Sequence, residues 1–445
     1  MRFLFFIIML HLSCAGPAYA GLRVDINKGV ESAILIAVPY AVPRAPISGT
    51  SPALGSEIAD VIANDLASTS FFKPIDRDLY AMAMPVADAE TPRFSHWRST
   101  RGQALVTGAI AEVDGDVFRL ECRLFDIFSG EPVAARNFVG RKDQWRQVSH
   151  VCANFVYEAL VGEPGHFDSR ILYVSESGSG EQRIKRLAEM DYDGAGHSYL
   201  SKGVNMVATP VYAPGGGTVV HLAFAGSTAR IYLVNLATRA TTEIGPFDGV
   251  AFGPRFSPDG ASILLSIGKN GNTDIYRIDL DTSKIVKLTE APGTDTGASY
   301  SPDGRKILFE SNRSGSQQLY MMNADGSEQS RITFGKARYG AASWSPKGDL
   351  LAFTRIAADV ASIGVMRSDG QGERMLTRSM RDESPAWAPS GRAIVFMRTG
   401  SGSRASELWT IDLTGTVERR LPLPEGGSDP AWSPSRGALP VTAKR

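Results

Sequence analysis

A short phrase recurs six times in the second half of this chain, and its spacing limits the fold more than any other feature. The copies are Val211-Tyr212-Ala213-Pro214-Gly215-Gly216, Arg255-Phe256-Ser257-Pro258-Asp259-Gly260, Ser299-Tyr300-Ser301-Pro302-Asp303-Gly304, Ser343-Trp344-Ser345-Pro346-Lys347-Gly348, Ala386-Trp387-Ala388-Pro389-Ser390-Gly391 and Ala431-Trp432-Ser433-Pro434-Ser435-Arg436. Their prolines are separated by 44, 44, 44, 43 and 45 residues. A constant step of this length, combined with β signals, marks propeller blades.

Within one copy an aromatic residue ends an extended segment, and Ser-Pro-Asp-Gly supplies a tight turn. Proline sets φ at the second position and glycine takes the left-handed one. A second strand follows at once, as in Ile263-Leu264-Leu265, Ile307-Leu308-Phe309 and Ile394-Val395-Phe396. These apolar runs fit strands buried on both faces. A third strand (Ile275-Tyr276-Arg277-Ile278, Leu408-Trp409-Thr410-Ile411) and a fourth (Arg331-Ile332-Thr333) complete four antiparallel strands per repeat. The first second-type strand, Ile171-Leu172-Tyr173-Val174, has no inner strand before it, and the last inner strand, Pro430-Ala431-Trp432-Ser433, has no partner after it. The C-terminal strand is therefore expected to complete the first blade and close the ring, leaving no open edge.

The remainder divides the chain. Residues 1–20 carry Arg2, an apolar run from Phe3 to Leu12 and Ala18-Tyr19-Ala20, the pattern of a secretory signal cleaved after Ala20. That run is too short to span a bilayer, so export to the periplasm is expected, with no direct membrane insertion. Residues 21–33 read as a tail and residues 34–165 as a small α/β domain of mixed sheet. Residues 166–445 read as an all-β six-bladed propeller. In the small domain, Ala33-Ile34-Leu35-Ile36-Ala37-Val38 reads as a buried strand. Ser51-Pro52 is placed to start a helix that buries Leu54, Ile58, Ile62 and Leu66. Phe71 to Ile75 reads as a short strand, Phe94 and Trp97 as a brief helix, and 104–139 as a β-meander. A last helix, Asp143 to Leu160, buries Trp145, Val148, Cys152, Phe155, Val156 and Leu160 and stops at Gly162. Outside the signal segment there are two cysteines, Cys122 and Cys152. Both lie on apolar faces, so they read as buried core thiols or as a disulfide formed in an oxidising compartment.

Motifs for chemistry are missing from the sequence. It contains no Gly-x-Ser-x-Gly, no His-Glu-x-x-His, no Cys-x-x-Cys and no phosphate loop, so neither an enzyme nor a cofactor is expected. Asp191-Tyr192-Asp193-Gly194 lacks the other ligands of a calcium loop and falls where sister repeats carry hairpin turns. No metal is expected, and a calcium-holding propeller enzyme is disfavoured because the inner strands offer aromatics, serine and alanine. The recurrence of the aromatic ladder argues for packing between blades. Lys plus Arg and Asp plus Glu are both 47, which leaves no basic footprint for nucleic acid.

Loops that enter the inner strands must gather at one mouth of the propeller, a natural binding rim. They hold Asn205, Met206, Asp248, Val250, Asp295, Thr296, Arg338, Tyr339, Arg381, Asp382, Glu383 and Asp429. The tail, Leu22, Arg23, Val24, Asp25, Ile26, Asn27, Lys28, Gly29 and Val30, alternates apolar with polar residues up to Ile26. It reads as an edge strand or frayed terminus, or as a detachable strand that adds to a partner's sheet.

The combination resembles the TolB family, the periplasmic component of the Tol–Pal cell-envelope system. It is carried by the leader, the small domain, the repeats, Arg146-Gln147-Val148-Ser149-His150, Gly165-His166-Phe167-Asp168-Ser169-Arg170, Asp191-Tyr192-Asp193-Gly194 and Asp382-Glu383-Ser384-Pro385. The resemblance implies a non-enzymatic adaptor that binds the lipoprotein Pal through the propeller mouth and TolA through the tail, about Leu22 to Ala33. It also implies support of outer-membrane integrity and of invagination at division, with Pal binding coupled to docking or release of the tail. The first copy departs from the pattern, reading Ala-Pro-Gly-Gly. A periplasmic ligand-binding or sensory propeller is the alternative.

Overall fold

The computed structural model describes residues 33–82, 91–178, 183–203, 206–226, 228–379, 381–400 and 405–436. The expected signal, the tail residues Leu22 to Val30, and Asn205 lie outside the described residues.

The small domain is one mixed sheet with helices on both faces. Its strands are β1 (Ile34–Ala37), β2 (Val42–Pro43), β3 (Phe72–Pro74), β4 (Ala104–Asp114), β5 (Val117–Asp126) and β6 (Pro132–Arg141). They are ordered β3-β1-β4-β5-β6, with β2 on β4. Strand β1 pairs in parallel with β3 and β4, whereas β4, β5 and β6 form the expected meander. Alternation along β5 sends Phe118, Leu120, Cys122 and Leu124 into one buried cluster with α1 (Leu54–Ala67) and α3 (Trp145–Val161). On the other face Leu105 and Phe125 meet Tyr80 and Trp97, the latter from α2 (Phe94–Ser99). In α1 the apolar residues recur at helical spacing and face the sheet. The helix begins at Leu54 with Ala53 as its cap residue, two positions later than expected for Ser51. Ser51 instead accepts a hydrogen bond from the Ala53 N–H at 3.1 Å, and the chain makes an irregular turn first. Helix α3 ends at Gly162, where φ is +81°, a conformation that glycine adopts without steric cost. Trp145, at its start, is half-buried rather than buried. Cys122 and Cys152 are joined by a disulfide that ties β5 to α3, which decides between the two readings of these residues.

Five blades follow the chain without interruption, at 206–244, 250–287, 295–331, 338–375 and 382–420. The sixth is composite: Gly426–Trp432 is its inner strand, and Arg170–Ser177, Ile184–Asp191 and Ser198–Tyr199 supply the rest. Trp432 lies opposite Ile171 and Ala431 opposite Leu172, so the last inner strand closes the ring. Second strands carry central apolar runs because alternate residues serve different neighbours. Ile263 and Leu265 pack with the blade before, whereas Leu264 packs with Ile307 and Phe309 of the blade after. Each such side chain withdrawn from water contributes about 1.5–3 kcal/mol.

The repeated phrase now has a physical explanation. The Gly260 N–H donates to the Ser257 carbonyl at 2.9 Å, and the Ser257 hydroxyl donates to Asp259 while accepting from the Ser262 N–H. The glycine is left-handed (φ +73° at Gly260), and a Cβ there would come within 3.8 Å of Pro214 in the preceding blade. The same approach joins Gly216 to Pro434, so turn touches turn around the closed ring. The aromatic ladder also links blades: Trp344 Nε1 donates to the Ser299 carbonyl and Trp387 Nε1 to the Ser343 carbonyl, at 3.3 and 3.2 Å.

Candidate functional site

The inner strands run from one face of the propeller, here called the mouth, to the face that carries the proline turns. The small domain sits on the turn face. Glu163 reaches Lys347 and Arg392 beside two of those turns, at 2.7 Å each, and His166 pairs with Ser390 at 3.0 Å. The mouth is therefore the face left free by the small domain.

The loop residues expected at the mouth separate into two groups. Met206, Asp248, Val250, Arg338 and Arg381 are exposed, and Thr296 and Glu383 are half-buried. Asp295 and Asp382 are instead fully buried. Asp295 accepts a hydrogen bond from Arg313 at 2.6 Å, and Asp382 accepts from both arms of Arg398 at 2.6 and 2.9 Å. Such forked, charge-assisted bonds anchor the loops instead of presenting charge to a partner. Tyr339 is also buried, and its hydroxyl donates to Glu373 at 2.8 Å. Asp429 lies inside the lumen, where its carboxylate accepts from the Thr209 N–H at 3.3 Å.

One mouth residue went unread in the sequence. Phe334 is 68% exposed, and on other entry loops Met206 and Val250 are 51% and 57% exposed. Arg331 covers part of its ring at 5.1 Å. A bare phenylalanine in the loop entering an inner strand was the available signal. The rim thus offers isolated apolar side chains on loops fixed by buried ion pairs, the composition of a protein-binding surface.

The seam between the domains is the other polar constellation. Asp65 of α1 is fully buried. One of its oxygens meets His150 Nδ1 at 2.7 Å, and the other accepts the Tyr192 hydroxyl at 2.7 Å. His150 Nε2 lies 4.0 Å from Asp193, which Arg146 clamps at 2.5 Å. Burial pushes the Asp65 carboxyl up, against the pull of His150. Burial also pulls the His150 imidazole down, but Asp65, Asp193 and Asp191 outweigh it and hold His150 above its ordinary value. Asp65, His150 and Asp193 bring their ligand atoms within 4.8 Å of one another. They suit a hydrogen-bonded latch better than a metal, because His150 and Tyr192 occupy Asp65, and Arg146 already neutralises Asp193. The Asp191-Tyr192-Asp193-Gly194 segment does form a turn, with the Gly194 N–H on the Asp191 carbonyl at 2.9 Å. Its role as the propeller's half of this latch was not read from the sequence, although its paired acids and tyrosine depart from the sister turns. Glu163 is held down to about 2 by Arg392 and Lys347, and burial drops His166 to about 3, keeping it neutral. Among the described residues no helix is long and apolar enough to cross a membrane.

Known proteins share this architecture. The sequence model of the TolB amino-terminal domain matches residues 22–133, and that of the TolB beta propeller domain matches residues 157–436. The Tol-Pal system protein TolB of Zymomonas mobilis is 52% identical over 417 residues, covering 93% of this chain and 90% of that protein. The crystal structure of TolB from Acinetobacter baumannii superposes with a TM-score of 0.79 at 26% identity, over 91% of this chain and 97% of that one. A chain of the nidogen/laminin complex matches 60% of this chain at a TM-score of 0.50 and 9% identity, over 99% of its own length, a likeness of fold alone.

Proposed function

Because the chain belongs to the TolB family and is a component of the Tol–Pal system, we propose that it is a non-enzymatic periplasmic adaptor that binds Pal at the propeller mouth and TolA through the tail, about Leu22 to Ala33. In this role it supports outer-membrane integrity and membrane invagination at division. The observation that carries the reading is the rim itself: Met206, Val250 and Phe334 stand exposed on the face left free by the small domain. Asp248, Arg338 and Arg381, exposed on the entry loops, add charge that steers a partner and sets its register. Asp295, Asp382 and Tyr339 act as anchors that hold the loops in one shape, which lowers the entropy cost of docking.

The test uses purified Pal and TolA. Phe334→Ala is expected to leave folding stability within about 0.5 kcal/mol, as for other exposed sites. It is expected to weaken Pal binding by about 1–2 kcal/mol as a rim anchor. Deleting residues 22–33 is expected to spare Pal capture and abolish TolA capture. Full TolA binding by the truncated chain would refute the role given to the tail, and undiminished Pal affinity across Phe334→Ala and Val250→Ser would refute the role given to the mouth.

A further inference from the structure

The lumen on the turn side is a cavity of about 590 Å³, within the range of roughly 300–1,000 Å³ typical of small-ligand sites. The six turn prolines and the six aromatic residues of the ladder line it. No residue of the small domain contributes to the wall. Phe256, Tyr300 and Trp344, on three consecutive blades, are the half-buried members of the ladder, while Tyr212, Trp387 and Trp432 are buried.

Two departures from the sixfold repeat place charge in this lumen. Beside the aromatic residue the inner strands carry Val211, Arg255, Ser299, Ser343, Ala386 and Ala431, so only one blade offers a charged side chain at that level. At the left-handed residue of the bulge in each inner strand stand Thr209, Gly253, Gly297, Ala341, Ser384 and Asp429, and again only one is charged. Arg255 donates to the neighbouring Pro254 carbonyl at 2.9 Å and forms no ion pair among the described residues. Burial lowers its pKa, while the charges of Asp429 and Glu310 support its charged form. Glu310 is already satisfied by the Ala341 N–H at 2.6 Å and by Gln317. Thr209 and Ser299, also in the wall, hold buried hydroxyls with no hydrogen-bond partner. Arg255 and Asp429 are separated by one intervening blade and do not bond to each other.

We propose that this lumen binds a small zwitterion with a ring or branched apolar body, the chemistry of a free α-amino acid. Its carboxylate takes the forked donors of Arg255, its ammonium takes Asp429, and its body lies against Phe256, Tyr300 and Trp344. A bare carboxylate suits the cavity less well, because Asp429 faces the same space. A bare amine is repelled by Arg255. The site is distinct from the mouth, so it stands or falls independently of Pal binding.

Isothermal titration of the full chain with phenylalanine, 3-phenylpropionate and phenethylamine tests this directly. Phenylalanine is expected to bind, with each one-charge analogue about thirtyfold weaker or worse, as for loss of one partner in a desolvated charge pair. Arg255→Gln is expected to weaken phenylalanine binding by a similar factor, and Arg255→Lys, which retains charge but not the fork, by less. Asp429→Asn is expected to erase the preference for phenylalanine over 3-phenylpropionate. Circular dichroism confirms that each variant is folded. The proposal is overturned by no heat and no change in tryptophan fluorescence up to about 10 mM phenylalanine, a concentration well above millimolar affinity. Binding that is indifferent to Arg255→Gln overturns it equally.

Discussion

The propeller and the small domain reach stability by different routes. Each of the blades at 250–287, 295–331 and 338–375 buries the same kind of side chain against the next, with second-strand residues alternating between neighbours. The small domain has no such redundancy. Its main cluster gathers β5, α1 and α3 once, is stapled by Cys122–Cys152, and continues through Tyr157, Phe167 and Tyr192 to Trp432 of the closing blade. The two regions therefore share a core at the blade assembled from both ends of the propeller and at its neighbour, 382–420. Damage inside a repeated blade is local, whereas damage at the closing blade reaches both domains.

Trp432→Ala tests this most severely. Trp432 is 8% exposed, and its indole donates to Ser169 at 2.7 Å. Truncation is expected to cost about 3–5 kcal/mol, visible as a lower urea midpoint for both domains. Trp344→Ala, at a half-buried site within the repeats, is expected to cost less and to spare the small domain. Equal losses would break the distinction between the closing blade and the others.

Asp65→Ala comes next. It leaves His150 and Tyr192 buried without their shared acceptor and is expected to cost about 3–4 kcal/mol. The latch also makes a pH prediction. The folded pKa of His150 is raised, so its contribution is complete below the unfolded value of about 6.5 and fades as pH rises through the folded value. Asp65 is raised too, and so acts in the same direction. His166, His197 and His221 are held below their ordinary value by burial and pull the other way, so the expectation is for the difference: the stability of the unaltered chain relative to His150→Gln should shrink as pH rises from about 6 to about 8. A slope unchanged in the variant would assign the titration elsewhere.

The smallest of the three effects is reduction of Cys122–Cys152, or its replacement by alanines. The bond spans a sequence separation of 30 residues, and its loss is expected to cost about 2–4 kcal/mol. Calorimetry should place that loss in the small domain and leave the propeller transition in position. A shift of both would show that the shared core couples the domains more tightly than the separate blade clusters suggest.

The legibility of the sequence follows the same division. Blade number, strand order, turn chemistry and closure by the last inner strand were all readable, because each depends on patterns within a few residues repeated at a constant step. The helix around Ile58 and Ile62 and the strand around Leu120 were readable for the same reason. The mouth was readable only in outline. Asp248 and Asp295 occupy matching loops, but one is exposed and the other is sealed against Arg313. Register separates them: Asp295 stands five residues before its aromatic, a position buried in every blade, whereas Asp248 stands eight before Phe256; the arginine that seals Asp295, however, comes from a loop eighteen residues on.

Local grammar alone thus determined a wheel of six small sheets beside an α/β domain, because turns, alternation and helical periodicity are short-range effects that each segment carries with it. The tertiary structure alone decided which charges are buried and which are offered to partners. It also decided that Asp193 meets His150 across a domain boundary, that Cys122 bonds Cys152, and that Arg255 and Asp429 share a lumen. Those outcomes depend on which distant segments the closed ring brings within bonding distance, and the energy of a charge is set by those neighbours and by its distance from water.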